Sequence, residues 1–324
     1  MAEAHRSIST AHARIVSATP IVYAHDYAAE DLPASVRGGS SLRTWNEQLI
    51  AVQDDISALA LIDPKPPHQA TALLLERGHD GRRTFGPSLG NKPHKLDLEA
   101  SIVLPDGRYV AFGSGSSNLR PREVLVVVQP NHSFRQLDAH DFYTMLRQNE
   151  AFAGDDLNIE GALVVDDDLW LFQRGNSAVS DNSIGRMPLA HFVRYLDTGA
   201  LPELIEVRSF PLGEIRGVPW GVTDAAQTPS GEIFAIAAAE DTDNPYDDGD
   251  ILGSIFVRLE GRSLADLRYQ SFATTDTDGR PTQRKIEGLT YRSGGDGESP
   301  LQFWAITDED DEEATSELLV IAFG

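Results

Sequence analysis

The chain has 324 residues, 41% of them hydrophobic, which suffices for one large domain or two small ones. Its 27 basic and 50 acidic residues give a formal net charge of −23, and this charge argues against nucleic acid or an anionic membrane as a partner, because both repel an acidic surface. The absence of cysteine excludes disulfides and thiolate chemistry.

The N-terminal residues 1–20 lack the apolar core of a secretory signal peptide. No apolar run approaches the roughly 20 residues that span a membrane. The sequence therefore predicts a soluble, cytoplasmic protein. Residues 13–23 form a β-rich run, ARIVSATPIVY, that is left over when the other predicted strands are grouped.

A hairpin pattern recurs along the rest of the chain. Its clearest copy covers residues 158–176, where Glu160 opens an apolar strand and a second strand ends on a polar tip. Similar copies cover residues 97–116, 221–240 and 285–310, and a fainter one covers 38–55. Aligned on their first strands, the copies start about 60 residues apart, and a fixed period of this kind predicts an array of like units. The anchor positions are Gly39, Glu99, Glu160, Asp224 and Glu287.

Each repeat contains about four predicted strands, which is the content of one propeller blade. The last repeat is one strand short, and the strand at 13–23 can pair with it, which closes the ring and removes two exposed sheet edges. The sequence thus predicts an all-β, single-domain, five-bladed β-propeller over residues 1–324. A six-bladed ring with one degenerate unit is the alternative. Short helices are predicted at 139–148 and 190–196 as insertions between strands.

The anchor carboxylates predict a polar, acidic mouth on the propeller axis. In a four-stranded blade the first strand lines the central channel, so Glu99, Glu160, Asp224 and Glu287 are expected to point at one axial face. Like charges this close cannot all remain ionised and unpaired. A Ca²⁺ ion could bind their oxygens, or neighbouring backbone N–H groups could hold them in a purely structural role. Basic side chains could also compensate them, and the candidates are Lys95, Arg174, Arg216 and Lys285.

The candidate site residues fall into three groups. Glu99, Glu160 and His94 are the candidate catalytic groups, and His94 is included because a histidine near the mouth can act as a general base. Trp220 either walls a pocket or packs between blades. The ligand-binding candidates are Lys95, Arg174, Asn176, Trp220 and Lys285, and the metal-ligand candidates are Glu99, Glu160, Asp224 and Glu287.

Several catalytic motifs are missing from the sequence. It contains no H-E-x-x-H, no P-loop and no G-x-G-x-x-G. Nucleotide-binding and zinc-peptidase functions are therefore disfavoured.

Short motifs in the repeats resemble those of an uncharacterised family of bacterial β-propellers. They are NIEG at residues 158–161 and KIEGL at 285–289, each followed by a strand, with the turns PDG at 105–107 and PSG at 229–231. More distantly, they resemble esterase-like phytase and gluconolactonase-type propellers. The gluconolactonase type is known for a divalent metal held in the channel by Glu, Asn and Asp. The resemblance implies that Glu160, Asn176, Asp224 and Glu287 could supply that set here.

The expected function is binding of a small ligand or a divalent cation, Ca²⁺ first, at the acidic axial mouth. One alternative is a metal-assisted hydrolase of an ester, lactone or phosphoester, in which Glu99 or Glu160 handles the proton. Another is a rigid platform that binds a second protein without turnover. A propeller hosts all three, so the fold does not decide between them.

Overall fold

The computed structural model describes residues 11–154, 156–175, 181–241, 250–261, 263–294 and 301–324. Asn176 and residues 242–249, which follow Asp241 and are rich in aspartate, lie outside these ranges. Strand β1 (Ala13–Pro20) comes first in the chain. It ends three residues before its predicted end, at a proline, which has no backbone N–H to donate to the ladder.

Three antiparallel sheets of four strands follow, each with its strands in sequence order. The first contains β2 (Gly39–Trp45), β3 (Gln48–Gln53), β4 (Ala58–Ile62) and β5 (Ala70–Leu74). The second contains β6 (Leu98–Val103), β7 (Tyr109–Gly113), β8 (Val124–Val128) and β9 (Phe134–Asp138). The third contains β10 (Ile159–Val165), β11 (Asp168–Gln173), β12 (Ser183–Pro188) and β13 (Glu206–Ser209). A small hairpin, β14 (Glu214–Ile215) and β15 (Val218–Pro219), comes next.

The remaining strands belong to one eight-stranded sheet that also includes β1. They are β16 (Gly221–Gln227), β17 (Ile233–Asp241), β18 (Asp250–Glu260), β19 (Arg268–Thr275), β20 (Ile286–Tyr291), β21 (Leu301–Thr307) and β22 (Glu317–Phe323). Antiparallel pairing joins β1 to β22 from Ala13–Phe323 to Pro20–Glu317, which matches the pairing expected of the N-terminal strand. Among the described residues, the backbone pairing between the two halves of this sheet consists of two residue pairs, where β1 runs parallel to β19.

The interior strands are almost continuous runs of aliphatic residues because both of their faces are covered. Strand β8, for example, is VLVVV with every residue buried, and β-branched side chains suit such a surface. Apolar clusters lie between neighbouring sheets and form the core. The first strands β2, β6, β10, β16 and β20 contact one another in a closed cycle, which is the arrangement of a β-propeller.

Helices occur in the connections between strands. The longer two, α1 (His140–Arg147) and α3 (Leu189–Thr198), confirm the helices predicted from the sequence, and a short α2 (Glu150–Ala153) lies between them. They add aromatic side chains to the core, since Phe192 stacks on Phe112 of β7 with a centroid separation of 5.4 Å. Among the described residues, no helix is long and apolar enough to cross a membrane.

Every first strand carries a β-bulge near its start. The pairing register with the second strand shifts across one residue in each case, and these residues are Ser40, Glu99, Glu160, Thr223 and Glu287. A bulge inserts one extra residue and re-aims its side chain. Three of the predicted anchors are therefore the bulged residues. The predicted anchors Gly39 and Asp224 are each one position off, and the structural equivalents are Ser40 and Thr223.

Candidate functional site

A cavity of about 490 Å³ opens at the end of the axis where the first strands begin. The starts of β6, β10 and β20 contribute Glu99, Glu160 and Glu287, and the ends of the second strands contribute residues such as Asp54 and Asp308. Among the described residues, thirteen acidic and five basic side chains line it. The acidic ones are Asp54, Asp55, Asp97, Glu99, Asp156, Glu160, Glu240, Asp241, Glu287, Asp308, Asp310, Asp311 and Glu312, and the basic ones are Lys92, Lys95, Arg122, Arg174 and Lys285.

Two of the three bulged glutamates are already paired. Glu160, which is 4% exposed, accepts a hydrogen bond from Asn158 Nδ2 at 2.7 Å and lies 3.4 Å from an Arg174 nitrogen. Glu287 lies 3.1 Å from Lys285 Nζ and 3.9 Å from Arg174. Glu99 differs from both, because its side chain forms no hydrogen bond or ion pair with any described residue.

Buried lysines hold the walls of the cavity together. Lys95 Nζ lies 2.6 Å from Asp97 Oδ1 and also pairs with Asp54. Lys285 Nζ lies 2.7 Å from Asp310 and 3.6 Å from Glu240. Both lysines are less than a tenth exposed. Because a buried ammonium is costly without partners, these lysines are fixed by the carboxylates around them.

Burial and mutual repulsion disfavour the charged form of the glutamates. Burial raises the pKa of Glu99 well above its usual range, and the nearby Glu160 and Asp97 raise it further. Burial also raises the pKa of Glu287, to about 8, although Lys285 opposes the change. The cavity therefore holds more carboxyl groups than its own basic residues can neutralise.

Asp97 behaves in the opposite way, although it is also buried. Burial alone would raise the pKa of Asp97, but Lys95 and Arg122 outweigh burial and lower it to about 2. Ser114 donates a further hydrogen bond to its carboxylate. Asp97 and Arg122 were missed by the sequence analysis, which considered one carboxylate per repeat. The signal for Asp97 was its place two residues before Glu99, at the entry to the same strand.

Asp224 is not part of this cavity, so its predicted place at the mouth is wrong. It is fully buried and forms a bidentate pair with Arg43, with Nη2–Oδ1 and Nη1–Oδ2 distances of 2.7 and 2.8 Å. The backbone N–H of Leu289 donates to it as well, at 3.0 Å. The physical reason is the bulge: Asp224 follows the bulged Thr223, and a one-residue shift in a strand turns a side chain to the other face.

Arg43 connects the first strands of the whole ring. Besides Asp224 of β16, it donates to the carbonyls of Ser101 in β6, Ala162 in β10 and Leu289 in β20, at 2.8 to 2.9 Å. Residues from all five first strands line a smaller axial cavity of about 180 Å³, and Arg43 faces this cavity rather than the acidic mouth. No sequence pattern distinguished Arg43 from other arginines.

Three other candidates lie away from the cavity lining. The ring of His94 stacks on that of His79 at a centroid separation of 3.9 Å. Trp220 packs against the apolar cluster between strands β10–β12 and strands β16–β18, which is the packing alternative raised for it. Arg216 is exposed in the turn of the β14–β15 hairpin. By contrast, Lys95, Arg174 and Lys285 line the cavity as the sequence analysis expected.

Of the metal-ligand set implied by the gluconolactonase resemblance, Glu160 and Glu287 line the cavity and Asp224 does not, while Asn176 lies outside the described residues. Asp224 is engaged by Arg43, while Glu160 and Glu287 face basic side chains. Another group does come together: Asp54, Asp97 and Glu99 each place one oxygen within 4.8 Å of the others. Such hard oxygen donors suit Ca²⁺. Lys95 Nζ, however, lies against two of these three carboxylates, so a cation would have to displace it.

Comparison with known proteins identifies the fold. The model of a family of unknown function (DUF6929) matches residues 35–323. No curated protein matches the sequence. One similar solved structure is a Bifidobacterium bifidum s17 protein named as a candidate exo-beta-1,3-galactanase, with 10% identity, 96% of both chains covered and a TM-score of 0.52. A second is the catalytic domain of a Coprinopsis cinerea alpha-L-arabinofuranosidase, with 9% identity, 97% of this chain and 96% of that chain covered and a TM-score of 0.51. A third is a Xanthomonas campestris gluconolactonase, with 11% identity, 96% of this chain and 98% of that chain covered and a TM-score of 0.42. At these identities the similarity concerns the fold alone, and it confirms an all-β propeller.

Proposed function

The chain belongs to DUF6929, a family of unknown function, and from the geometry of its axial cavity we propose that it binds a small polar ligand there. The observation that carries the proposal is Glu99, a carboxyl group that faces the cavity without a partner among the described residues. A cavity of about 490 Å³ lies within the size range of small-molecule sites, roughly 300–1,000 Å³. The paired residues around Glu99 form a fixed frame, which lowers the entropic cost of binding.

The proposal includes a ring of five blades. The cyclic contacts among the five first strands support this number, and so does the reach of Arg43 into β6, β10, β16 and β20. In this description the eight-stranded sheet is two blades. The parallel contact of β1 with β19 joins them at two residue pairs, whereas β1 and β22 pair over the length of both strands.

A divalent cation at Asp54, Asp97 and Glu99 is a second candidate. The mutual approach of their oxygens within 4.8 Å favours it. A cation there would polarise an ester, lactone or phosphoester, which is the hydrolase form of the proposal, and Glu160, which is outside the ligand group, would handle the proton. Three carboxylates suit a hard cation, and Ca²⁺ is the one we propose.

The first experiment is a thermal-unfolding screen against neutral sugars, amines, carboxylic acids and divalent cations. Neutral sugars are included because two of the similar structures are named for enzymes of arabinoside and galactan cleavage. A ligand that binds only the folded protein stabilises it by about 2.7 kcal/mol at a hundredfold excess over Kd. We expect at least one class to raise the Tm.

Two leucine variants show whether a hit binds in the cavity. Leu119 lines the cavity, and Leu89 is an exposed leucine that does not. Leu119→Trp should reduce the Tm shift, while Leu89→Trp should leave it unchanged. For Ca²⁺, the shift should be lost in Glu99→Gln and kept in Glu160→Gln. The proposal is refuted if no class shifts the Tm, or if every hit shifts all variants equally.

A further inference from the structure

The distribution of charge in the cavity suggests what kind of ligand it takes. Four of its basic residues have carboxylate partners: Lys95 pairs with Asp54 and Asp97, Arg122 with Asp97, Arg174 with Glu160 and Glu240, and Lys285 with Glu287 and Asp310. The fifth, Lys92, lies at the rim in the segment 92–94. The buried basic side chains are therefore already paired with carboxylates of the cavity walls.

The cavity also contains carboxyl groups that form no ion pair with a described residue, and Glu99 and Asp308 are two of them. Glu99 forms no ion pair with any described residue, and neither does Asp308, which is only 7% exposed. The one hydrogen bond of the Asp308 carboxylate in the described part of the chain comes from the backbone N–H of Asp310, at 3.0 Å. A carboxyl group buried to this extent is normally either protonated or paired with a cation, and pairing with an ammonium group of a ligand would release the proton.

We propose that the cavity binds an organic dication, a diamine whose two ammonium groups pair with Glu99 and Asp308. This inference rests on the proposed function and specifies its ligand class.

A dication fits these two carboxylates better than a single metal ion does. Asp308 is outside the group of oxygens around Asp54, Asp97 and Glu99 that lie within 4.8 Å of one another, so one ion cannot be coordinated by all of them at that spacing. A flexible diamine carries two charges separated by methylene groups. Apolar surface is available for those methylenes, because Leu119, Val218 and three prolines (Pro87, Pro93 and Pro219) also line the cavity.

The net charge of the whole molecule also favours a cationic ligand. Its net charge of −23 attracts cations from solution and accelerates their encounter with the mouth. This general attraction also binds amines weakly over the surface, so the test must separate the cavity from the surface. Salt of about 0.15 M reduces the Debye length to about 8 Å and weakens the surface contribution first.

The test is titration calorimetry with putrescine, butylamine, butanediol and Ca²⁺ at that salt concentration. The protein forms are the wild type, Glu99→Gln, Asp308→Asn and a control that combines Asp166→Asn with Asp167→Asn. The control residues are exposed in the β10–β11 turn and do not line the cavity. Unfolding curves of each variant verify that it is folded.

We expect putrescine to bind the wild type and the control with the same affinity within about twofold. Each single cavity variant should weaken it by at least about tenfold, as should replacement of putrescine by butylamine, because each change removes one buried charge pair. Butanediol should not bind. Equal affinity for putrescine in all four protein forms would overturn the inference, as would butylamine or Ca²⁺ binding as tightly as the diamine.

Failure of this inference is distinguishable from failure of the proposed function. A neutral sugar that binds the wild type and is weakened by Leu119→Trp, with no binding of putrescine, would retain the cavity as a ligand site and exclude the dication. The absence of binding by every probe would refute both.

Discussion

Arg43 and Asp224 form a deeply buried ion pair near the axis. Their side chains are 9% and 0% exposed, and the pair is surrounded by backbone carbonyls that accept the remaining guanidinium hydrogens. A buried charge is tolerated when all of its donors are satisfied, and removal of one partner leaves the other uncompensated. The pair therefore stabilises the contacts among the first strands at the centre of the ring and is not part of the ligand site.

Replacement of Arg43 by methionine should destabilise the protein by about 3–5 kcal/mol, because Asp224 would be left buried without its cation. The matched control is Arg108→Met, since Arg108 pairs with Asp106 and Asp197, whose side chains are about half exposed. Exposed pairs contribute about 0–1 kcal/mol. Urea denaturation of both variants measures the difference, and equal losses would contradict a special role for Arg43.

At the scale of the strand, the bulge decides which side chains reach the cavity. Glycines follow the bulge in β10 and β20, at Gly161 and Gly288, and allow the first strands to approach each other closely. A Cβ added at Gly288 would lie 2.8 Å from the backbone nitrogen of Leu42 in β2. At Gly161 the nearest backbone atom, the Asp224 Cα, would be 3.3 Å away.

Gly288→Ala should therefore cost about 1–3 kcal/mol of stability, since backbone atoms of β2 would have to move. Gly161→Ala should cost less, because its neighbours need to shift by only a few tenths of an ångström. Chemical denaturation of the two variants gives the comparison. A larger loss of stability in Gly161→Ala than in Gly288→Ala would contradict the idea that close approach of β2 requires a glycine at position 288.

For the whole molecule, the buried carboxyl groups predict how stability depends on pH. Folding raises the pKa of Glu287 to about 8, so the folded protein binds a proton there that the unfolded chain, with an ordinary pKa of about 4.3, has already released. Stability falls with rising pH wherever the folded state binds more protons. Glu287 should thus reduce the free energy of unfolding as pH rises from about 5 to 8.

Urea denaturation at several pH values in this window tests the prediction. The wild type should lose stability toward the upper end, and Glu287→Gln should show a shallower dependence because the titrating group is gone. Glu76→Gln, at an exposed glutamate outside the cavity, should retain the wild-type slope. An unchanged slope in Glu287→Gln would mean that other groups cause the pH dependence. Glu99 and Asp308 would then be the next residues to replace, because burial also raises their pKa values.

Local patterns in the sequence were enough to predict the all-β propeller fold and the resemblance to an uncharacterised family, and both predictions are confirmed. Alternation of apolar residues and the recurrence of the hairpin are properties of neighbouring residues, and they also indicated Glu99, Glu160 and Glu287 as equivalent positions. The register of β16 was predicted one residue off, because a bulge depends on how one strand pairs with the next.

Only the tertiary structure decided which charged groups are neutralised. Asp224 and its partner Arg43 are 181 residues apart, and Lys95 and Asp54 are 41 apart, so no local pattern relates them. The closed ring brings these distant residues together. It leaves Glu99 and Asp308 facing the same cavity without a cation among the described residues, because the basic side chains there are held by other carboxylates.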